Sequence, residues 1–196
     1  MTTGSICVYC GSSPGFDGVH AEAAAELGRA IVASDHRLVY GGGSVGLMGV
    51  VADSVLSAGG QVTGIITEQL LALEVGHNGL TELEVEASMH LRKARMAELA
   101  DGVIVLPGGF GTWEEAFEVL TWNQLGLIAT PVAFLDVTGF YRPLFELLDG
   151  AVEAGFLSAT NRSFAQRAAD PAEAVAIATS PPPVWSPKWI GSEPKA

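Results

Sequence analysis

The fold of this chain is constrained most by a regular alternation of short apolar runs with longer segments of helical period. Five runs rich in Val and Ile predict strands. A further short strand is predicted at LEVEA, within an irregular segment over residues 68–86 that is a candidate lid. The five are SICVYC, RLVYG, QVTGIIT, DGVIVLP and PVAFLD. Helices are predicted at HAEAAAELGRAIVAS, GLMGVVADSVLSAG, SMHLRKARMAELA, TWEEAFEVLTWNQLG and YRPLFELLDGAVEAG. This order predicts an α/β fold with a parallel sheet covered by helices on both faces.

Chain length and proline placement predict the domain organisation. With 196 residues and 48% hydrophobic content, the chain can bury one sizeable core but not two ordinary ones. Half of the ten prolines fall in the C-terminal stretch SPPPVWSPKWIGSEPKA, where they would interrupt a helix or a central strand. We therefore predict a single domain over residues 1–179, followed by an extended Pro-rich tail over residues 180–196.

Charge and hydropathy narrow the classes of partner. The net charge is −12, from 22 acidic and 10 basic residues, which argues against sequence-independent binding to nucleic acid. Neither a run of 18 apolar residues nor a secretory leader is present, so we expect no membrane partner and a cytoplasmic protein. Cys7 and Cys10 form a CxxC within a predicted strand, where their spacing sends them to opposite faces. Two buried thiols are therefore favoured over a redox pair.

Glycine-rich loops follow three of the predicted strands. They are GSSPG after the first, GGGSVGLMG after the second and PGGFGT after the fourth. Such loops at the carboxyl ends of parallel strands let a phosphate approach main-chain N–H groups. Glycines there also serve close packing between strand and helix. Three glycine-rich loops at one edge favour a ligand crevice.

The second loop contains the spacing GxGxxG, typical of dinucleotide sites, at Gly41, Gly43 and Gly46. It follows the second strand rather than the first, and Glu68, the nearest acid after the next strand, precedes an irregular segment rather than a helix. The sequence GxxxxGK[ST] of triphosphate hydrolases does not occur. Nucleotide binding is therefore favoured over hydride transfer and triphosphate hydrolysis.

Two adjacent cations lie in the predicted helix that begins at Ser88. At 100° per residue, Arg92 and Lys93 share a face with Met89 and Met96, which places them toward the core. Long basic side chains can also extend past an apolar stripe into solvent. Because the chain has only ten bases, the adjacent pair favours binding of an anion or a carboxylate.

Glutamates follow the third glycine-rich loop directly. Thr112 and Glu115 have the spacing of a capping box, in which each side chain satisfies a backbone N–H of the other. Glu114 and Glu115 also suit the positive end of the helix dipole. Glu115, however, begins an otherwise apolar stripe, so it need not face water. Capping and catalysis both remain open for Glu115 on this local pattern.

Three motifs together resemble one known family. PGGFGTWEE matches PGGxGTxxE, SMHLRK matches MHxRK, and VYGGGSVGLMG matches the family's first glycine-rich loop. The chain thus resembles the LONELY GUY family of cytokinin riboside 5′-monophosphate phosphoribohydrolases, from Ile6 to about Leu157. This resemblance implies a Rossmann-like catalytic domain, a nucleoside 5′-monophosphate as substrate, no cofactor, no metal and a homodimer. Leu91 departs from the Glu or Gln that the family usually has in MHxRK, on a face of the helix away from Arg92.

The resemblance also implies roles for individual residues. Arg92 and Glu115 would form the catalytic pair, and the loop after the fourth strand would hold the 5′-phosphate. Met89 and Phe110 are candidates for the wall that contacts the base. The residues expected to contact the substrate are Gly42, Gly43, Glu74, Met89, Lys93, Gly108, Gly109, Phe110, Gly111, Thr112, Glu114 and Thr121.

The residue types suit cleavage of an N-glycosidic bond. Positive charge develops on the ribose in the transition state, so a carboxylate near C1′ stabilises it and can activate water. A nucleotide-binding module without turnover shares all these loops and remains the alternative, and an oxidoreductase rests on GxGxxG alone. Lysine decarboxylation would require a lysine bound to pyridoxal phosphate, and Lys93 is the one lysine outside the tail. The favoured prediction is hydrolysis of adenosine 5′-monophosphates, with or without an N6 substituent.

Overall fold

A computed structural model describes residues 4–73, 75–182 and 184. Within these residues seven parallel strands form one sheet in the order β4-β3-β2-β1-β5-β6-β7. The strands are β1 (Gly4–Tyr9), β2 (His36–Tyr40), β3 (Val62–Thr67), β4 (Glu82–Glu86), β5 (Gly102–Val105), β6 (Val132–Leu135) and β7 (Ala165–Ala168). The helices are α1 (Val19–Ala33), α2 (Gly46–Ser57), α3 (Glu68–Ala72), α4 (Met89–Leu99), α5 (Phe110–Leu125), α6 (Arg142–Glu153), α7 (Ala159–Arg162) and α8 (Pro171–Ala178). The predicted α/β fold is confirmed.

The core has two parts, one on each face of the sheet. Alternate residues of β1 point to opposite faces, so Ile6 and Val8 pack in one cluster and Cys7 and Tyr9 in the other. Cys10 joins the cluster opposite that of Cys7, and both cysteines are free and buried. Burial raises the pKa of both thiols far above their usual value. The prediction of two buried thiols on opposite faces of the sheet is confirmed.

The strand order reverses between β1 and β5. From β1 the sheet grows through β2 to β4 on one side and through β5 to β7 on the other. Ligands of open α/β sheets bind at the carboxyl ends of strands at such a reversal. GSSPG follows β1 and PGGFGT follows β5, so the topology brings two of the three glycine-rich loops to this point.

Several elements differ from the sequence prediction. The strand β7 and the helices α7 and α8 were not predicted, because AQRA is buried only at its two ends and the helices are short. Residues 68–72, expected to be irregular, form the short helix α3, whose first turn is capped by the Thr67 hydroxyl. The predicted strand LEVEA is confirmed as β4, one residue earlier.

Two predictions concern the ends of the chain and membranes. The last helix ends at Ala178, and most of the predicted tail over 180–196 lies outside the described residues. In the described part of the chain no helix has the length and apolar character needed to cross a membrane.

Candidate active site

A cavity of about 550 Å³ opens at the carboxyl ends of β1 and β5. It gathers residues from the first glycine-rich loop after β1, from α2, from α4 and from the start of α5. The lining residues are Cys10, Gly11, Ser12, Met48, Met89, Arg92, Gly109, Phe110, Gly111, Thr112, Glu114 and Glu115. Six of the twelve residues expected to contact a substrate therefore surround a single cavity, together with the candidate pair Arg92 and Glu115.

The start of α5 supplies free main-chain N–H groups to this cavity. Gly109 is the N-cap, and the first intrahelical bond runs from the Trp113 N–H to the Gly109 carbonyl, at 3.0 Å. The preceding N–H groups, from Phe110 to Thr112, therefore point out of the helix end with its partial positive charge. Among the described residues nothing lies within 4 Å of where a Cβ on Gly109 or Gly111 would stand. A ligand oxygen has room to reach these N–H groups.

The capping interpretation of Thr112 and Glu115 is wrong. The helix begins at Phe110, two residues before the predicted start, so Thr112 lies inside the first turn rather than at the N-cap. Among the described residues the N-cap, Gly109, makes no side-chain capping hydrogen bond, and the Glu115 carboxylate contacts Arg92. Gly109 is the N-cap of α5, the position that the sequence pattern assigned to Thr112.

The loops around the helix start are held together by close backbone packing. The Gly11 N–H donates to the Pro107 carbonyl at 3.1 Å, and the Leu47 N–H donates to the Gly11 carbonyl at 3.0 Å. A Cβ on Gly108 would overlap the Thr112 side chain and stand 2.9 Å from the Gly11 nitrogen. Gly108 is thus required for the approach of two strand ends, and it borders a neighbouring cavity of about 510 Å³ that shares Gly11 and Gly109.

Arg92 and Glu115 form a buried ion pair at the edge of the cavity. The Arg92 Nη1 lies 2.8 Å from the Glu115 Oε1, and the two side chains are only 8% and 13% exposed. The Arg92 Nε donates to the Ile65 carbonyl at 2.9 Å, and Nη2 donates to the Gly41 carbonyl at 3.4 Å. Arg92 thus points inward from α4, and its fork of donors is held by two strand ends and one carboxylate.

The environment of Glu115 works in two directions on its pKa. Burial is the largest influence and raises the pKa of Glu115, while the charge and the hydrogen bond of Arg92 lower it. The net direction is upward, with a further contribution from the neighbouring Glu114. Arg92 favours the ionised carboxylate, but burial outweighs it. A carboxyl with a raised pKa is suited to exchange protons with a substrate or water.

Lys93 takes part in a second cluster of charges. Its Nζ donates to the Glu114 carboxylate and, at 3.2 Å, to that of Glu118. Burial alone disfavours the charged amine, but the hydrogen bonds with both glutamates outweigh it and raise the pKa of Lys93. Within the described chain Lys93 does not line the cavity, whereas Glu114 does. The contact that the sequence analysis expected between Lys93 and a phosphate stays a prediction.

The other expected contact residues have varied positions. Gly42 and Gly43 pair with the segment at 75–77 rather than line the cavity described above. Thr121 is exposed, donates to the Phe117 carbonyl at 2.7 Å and borders a different, small cavity of about 90 Å³. Glu74 lies outside the described residues. The sequence analysis missed Cys10, Gly11, Ser12 and Met48 as lining residues, although Gly11, Ser12 and Met48 belong to the glycine-rich stretches GSSPG and GGGSVGLMG that it placed at this edge.

Comparison with known proteins shows the family of this chain. A family profile described as "Possible lysine decarboxylase" matches residues 48–178. A cytokinin riboside 5′-monophosphate phosphoribohydrolase of Rhodococcoides fascians is 47% identical over 181 residues, which is 92% of this chain and 91% of the relative. The chain belongs to the LONELY GUY family. Another relative, a phosphoribohydrolase of the same description from Arabidopsis thaliana, is 47% identical over 80% of this chain and 74% of its own length.

Solved structures of molybdenum cofactor proteins share the fold. A molybdenum cofactor binding protein of Rippkaea orientalis superposes with a TM-score of 0.68 at 21% identity, covering 90% of this chain and 95% of that protein. A molybdenum cofactor carrier protein of Chlamydomonas reinhardtii gives a TM-score of 0.63, also at 21% identity, with 88% and 94% covered. At this identity the likeness shows the fold alone.

Proposed function

We propose that this protein hydrolyses the N-glycosidic bond of adenosine 5′-monophosphates, with or without an N6 substituent, to give the free base and ribose 5-phosphate. The observation that carries the proposal is the buried Arg92–Glu115 pair beside a helix start with free N–H groups. Relatives at 47% identity carry the name of this activity. A phosphate and a reacting carboxylate then occupy adjacent turns of one helix.

The 5′-phosphate would bind at the start of α5. The N–H groups from Phe110 to Thr112 precede the first intrahelical bond, and the open space at Gly109 and Gly111 admits phosphate oxygens. Although the net charge of the protein is negative, it can bind the phosphate because the attraction comes from the N–H groups next to the anion. The ribose would then extend along the cavity toward Glu115, one turn further into the helix.

Glu115 would act on the ribose and on water. As the bond between C1′ and N9 lengthens, positive charge spreads over C1′ and the ring oxygen, and a carboxylate stabilises it. Water adds to C1′ and gives one proton to Glu115, while N9 leaves with the bonding electrons and takes up a proton from solvent, to which Glu115 then releases its own. AMP and water thus yield adenine and ribose 5-phosphate. Arg92 would orient Glu115 and oppose its protonation.

Lysine decarboxylation fits the site poorly. A lysine that forms a Schiff base must lose its proton, whereas Lys93 is held by two carboxylates that raise its pKa. Its amine also lies away from the cavity lining in the described part of the chain. The proposal therefore includes no cofactor and assigns Lys93 to the placement of Glu114.

The homodimer predicted from the sequence remains part of the proposal. Trp113 and Phe117 of α5 are about two-fifths exposed and border an apolar groove of about 460 Å³ with residues of α6. A second subunit would cover this face, and the exposed Thr121 on the same helix could reach a substrate only across such an interface. A cytoplasmic location likewise remains a prediction.

The decisive test compares two neighbouring glutamates. Glu115→Gln should lower kcat about 10² to 10⁴-fold, since a general base or charge-stabilising group is lost. Glu114→Gln is the matched control and should lose less than about tenfold, because its carboxylate is half exposed and bound to Lys93. Base released from AMP, N6-isopentenyl-AMP and the matching ribosides is measured by chromatography. Near wild-type turnover by a folded Glu115→Gln variant contradicts the catalytic role.

The same assay separates the proposal from its alternative. A nucleotide-binding module would bind AMP without releasing base from any substrate. Release from the monophosphates alone would support both the hydrolysis and the phosphate site at the start of α5. Binding without release in the wild-type protein would favour the module.

A further inference from the structure

The second glycine-rich loop, between β2 and α2, is covered by a segment that pairs with it as a short strand would. This segment comprises residues 75–80, between α3 and β4. The Ser44 N–H donates to the Val75 carbonyl at 2.8 Å, and the His77 N–H donates to the Gly42 carbonyl at 2.9 Å. The backbone of the segment is thus fixed directly on the loop between β2 and α2.

The covered loop in turn supports one wall of the cavity. Gly43 forms an antiparallel bridge with Gly76, and its carbonyl accepts a hydrogen bond from the Tyr40 hydroxyl at 3.1 Å. A Cβ on Gly43 would stand 2.8 Å from the Met48 methyl group, so Gly43 and Met48 are packed as closely as a glycine allows. Met48 lines the cavity near Arg92.

The side chain of His77 ties the segment to α2. Its Nδ1 accepts from the Gly79 N–H at 3.0 Å, so in the neutral ring the proton is on Nε2. That Nε2 lies 3.0 Å from the Asp53 Oδ1 and donates to it. The imidazole is 12% exposed, whereas Asp53 is 70% exposed and thus accessible to substitution without opening the core.

We propose that the His77–Asp53 hydrogen bond is a positioning latch that sets the shape of the Met48 wall and thereby the fit of the base and its N6 substituent. Asp53 and Met48 belong to the same helix, so the contacts form a closed ring: Met48, α2, Asp53, His77, the segment 75–80, Gly43 and again Met48. Breaking one link lets Gly43 and the thioether of Met48 separate. This inference rests on the proposed function.

The position of Met48 connects the latch to the base. With the phosphate at the start of α5 and C1′ at Glu115, the base would extend toward the apolar wall formed by Met48 and Met89. Methionine side chains adapt to groups of different shape, so their placement affects which substituents fit. Glu115 is held by Arg92, whose Nε bond of 2.9 Å to Ile65 on β3 does not involve the covered loop, whereas its Nη2 bond to Gly41 at the start of that loop is longer, at 3.4 Å. The latch should therefore act on substrate binding rather than on the chemical step.

The experiment compares three variants of the full chain. Asp53→Ala removes the acceptor, whereas Asp53→Asn keeps an amide oxygen that can accept from Nε2. Asp149→Ala is the matched control, because it removes a pair of similar exposure, Asp149 with Arg162 at 2.7 Å, between α6 and α7. KM and kcat are measured with AMP and with N6-isopentenyl-AMP, together with the midpoint of thermal unfolding.

The latch predicts a separation of KM from kcat. Asp53→Ala should raise KM about 3- to 10-fold, the equivalent of one hydrogen bond, and change the ratio of kcat/KM between the two substrates. Its kcat, and both constants of Asp53→Asn and Asp149→Ala, should stay within about twofold. Unchanged KM and selectivity in Asp53→Ala overturn the latch. Equal changes in Asp53→Ala and Asp149→Ala that follow thermal stability also overturn it, since they indicate a merely structural pair.

Failure of the proposed function can be distinguished from failure of the latch. If the wild-type protein releases no base, the same variants are compared by the dissociation constants of AMP and N6-isopentenyl-AMP in calorimetry. A weaker affinity and an altered ratio in Asp53→Ala alone would still support the latch. Equal affinities in all four proteins would overturn it.

Discussion

Removal of the Arg92 side chain should lower the free energy of unfolding, because it leaves the Glu115 carboxylate without its ion-pair partner. In Arg92→Ala the carboxylate loses its ion pair while it stays almost as buried, and breaking a buried pair in this way costs about 3–5 kcal/mol of unfolding free energy. Glu115→Gln should cost only about 1–3 kcal/mol, because Arg92 keeps its bonds to the Ile65 and Gly41 carbonyls. The double variant has no buried charge left unpaired. The loss of unfolding free energy in the double variant should therefore be about 1–3 kcal/mol smaller than the sum of the losses in the two single variants.

The assay for this coupling is urea unfolding of the four proteins at several pH values. Arg92 lowers the pKa of Glu115, so its removal raises that pKa further above the unfolded value. A carboxyl with a raised folded pKa costs nothing while it is protonated in both states, and the cost grows as pH rises through that pKa. The deficit of Arg92→Ala should thus be largest near neutral pH and shrink in acid. Strictly additive losses, or a deficit independent of pH, would refute the reasoning.

Two further predictions concern the placement and the titration of the same pair. Gly41→Ala should displace the guanidinium of Arg92, because the new Cβ would overlap Nη2, and should lower kcat about tenfold or more. Gly150→Ala is the control, because Gly150 lies in a helix and no described atom lies within 4 Å of the new Cβ. Its kcat, measured by steady-state release of base, should be unchanged. Equal losses of kcat in both variants would contradict the overlap between the Gly41→Ala side chain and Arg92. The acid limb of kcat/KM should lie above the ordinary pKa of glutamate, because burial raises the pKa of Glu115, which must be ionised to act. A limb at or below that ordinary value in the pH profile would remove Glu115 as the titrating group.

The elements with the strongest sequence patterns were predicted well. Strands such as SICVYC and DGVIVLP are buried on both faces and so consist of continuous apolar residues, which only a covered parallel sheet explains. The missed elements have weaker patterns. AQRA, at the sheet edge, has only four residues and is buried only at its two ends, and α7 is a single turn. Short elements of this kind depend on packing against the rest of the fold rather than on their own pattern.

The glycines of PGGFGT and the pairing of cations with methionines on α4 determined where a site could lie and which charges it would use. The sequence by itself therefore determined the fold class, the edge of the sheet and the candidate pair Arg92 and Glu115. It left open whether Glu115 caps its helix, because a capping box and a buried ion pair share the same local spacing. That choice depends on where α5 begins and on what faces it, 23 residues away along the chain.

Only the tertiary structure decided those points. Gly109 starts the helix two residues early, and α4 brings Arg92 across to Glu115 while the carbonyls at the ends of β2 and β3 hold its other donors. Burial then raises the pKa of Glu115 despite its contact with Arg92. Periodicity records which face of an element is buried, but the pKa of a buried group depends on distances between elements, which only their packing in space determines.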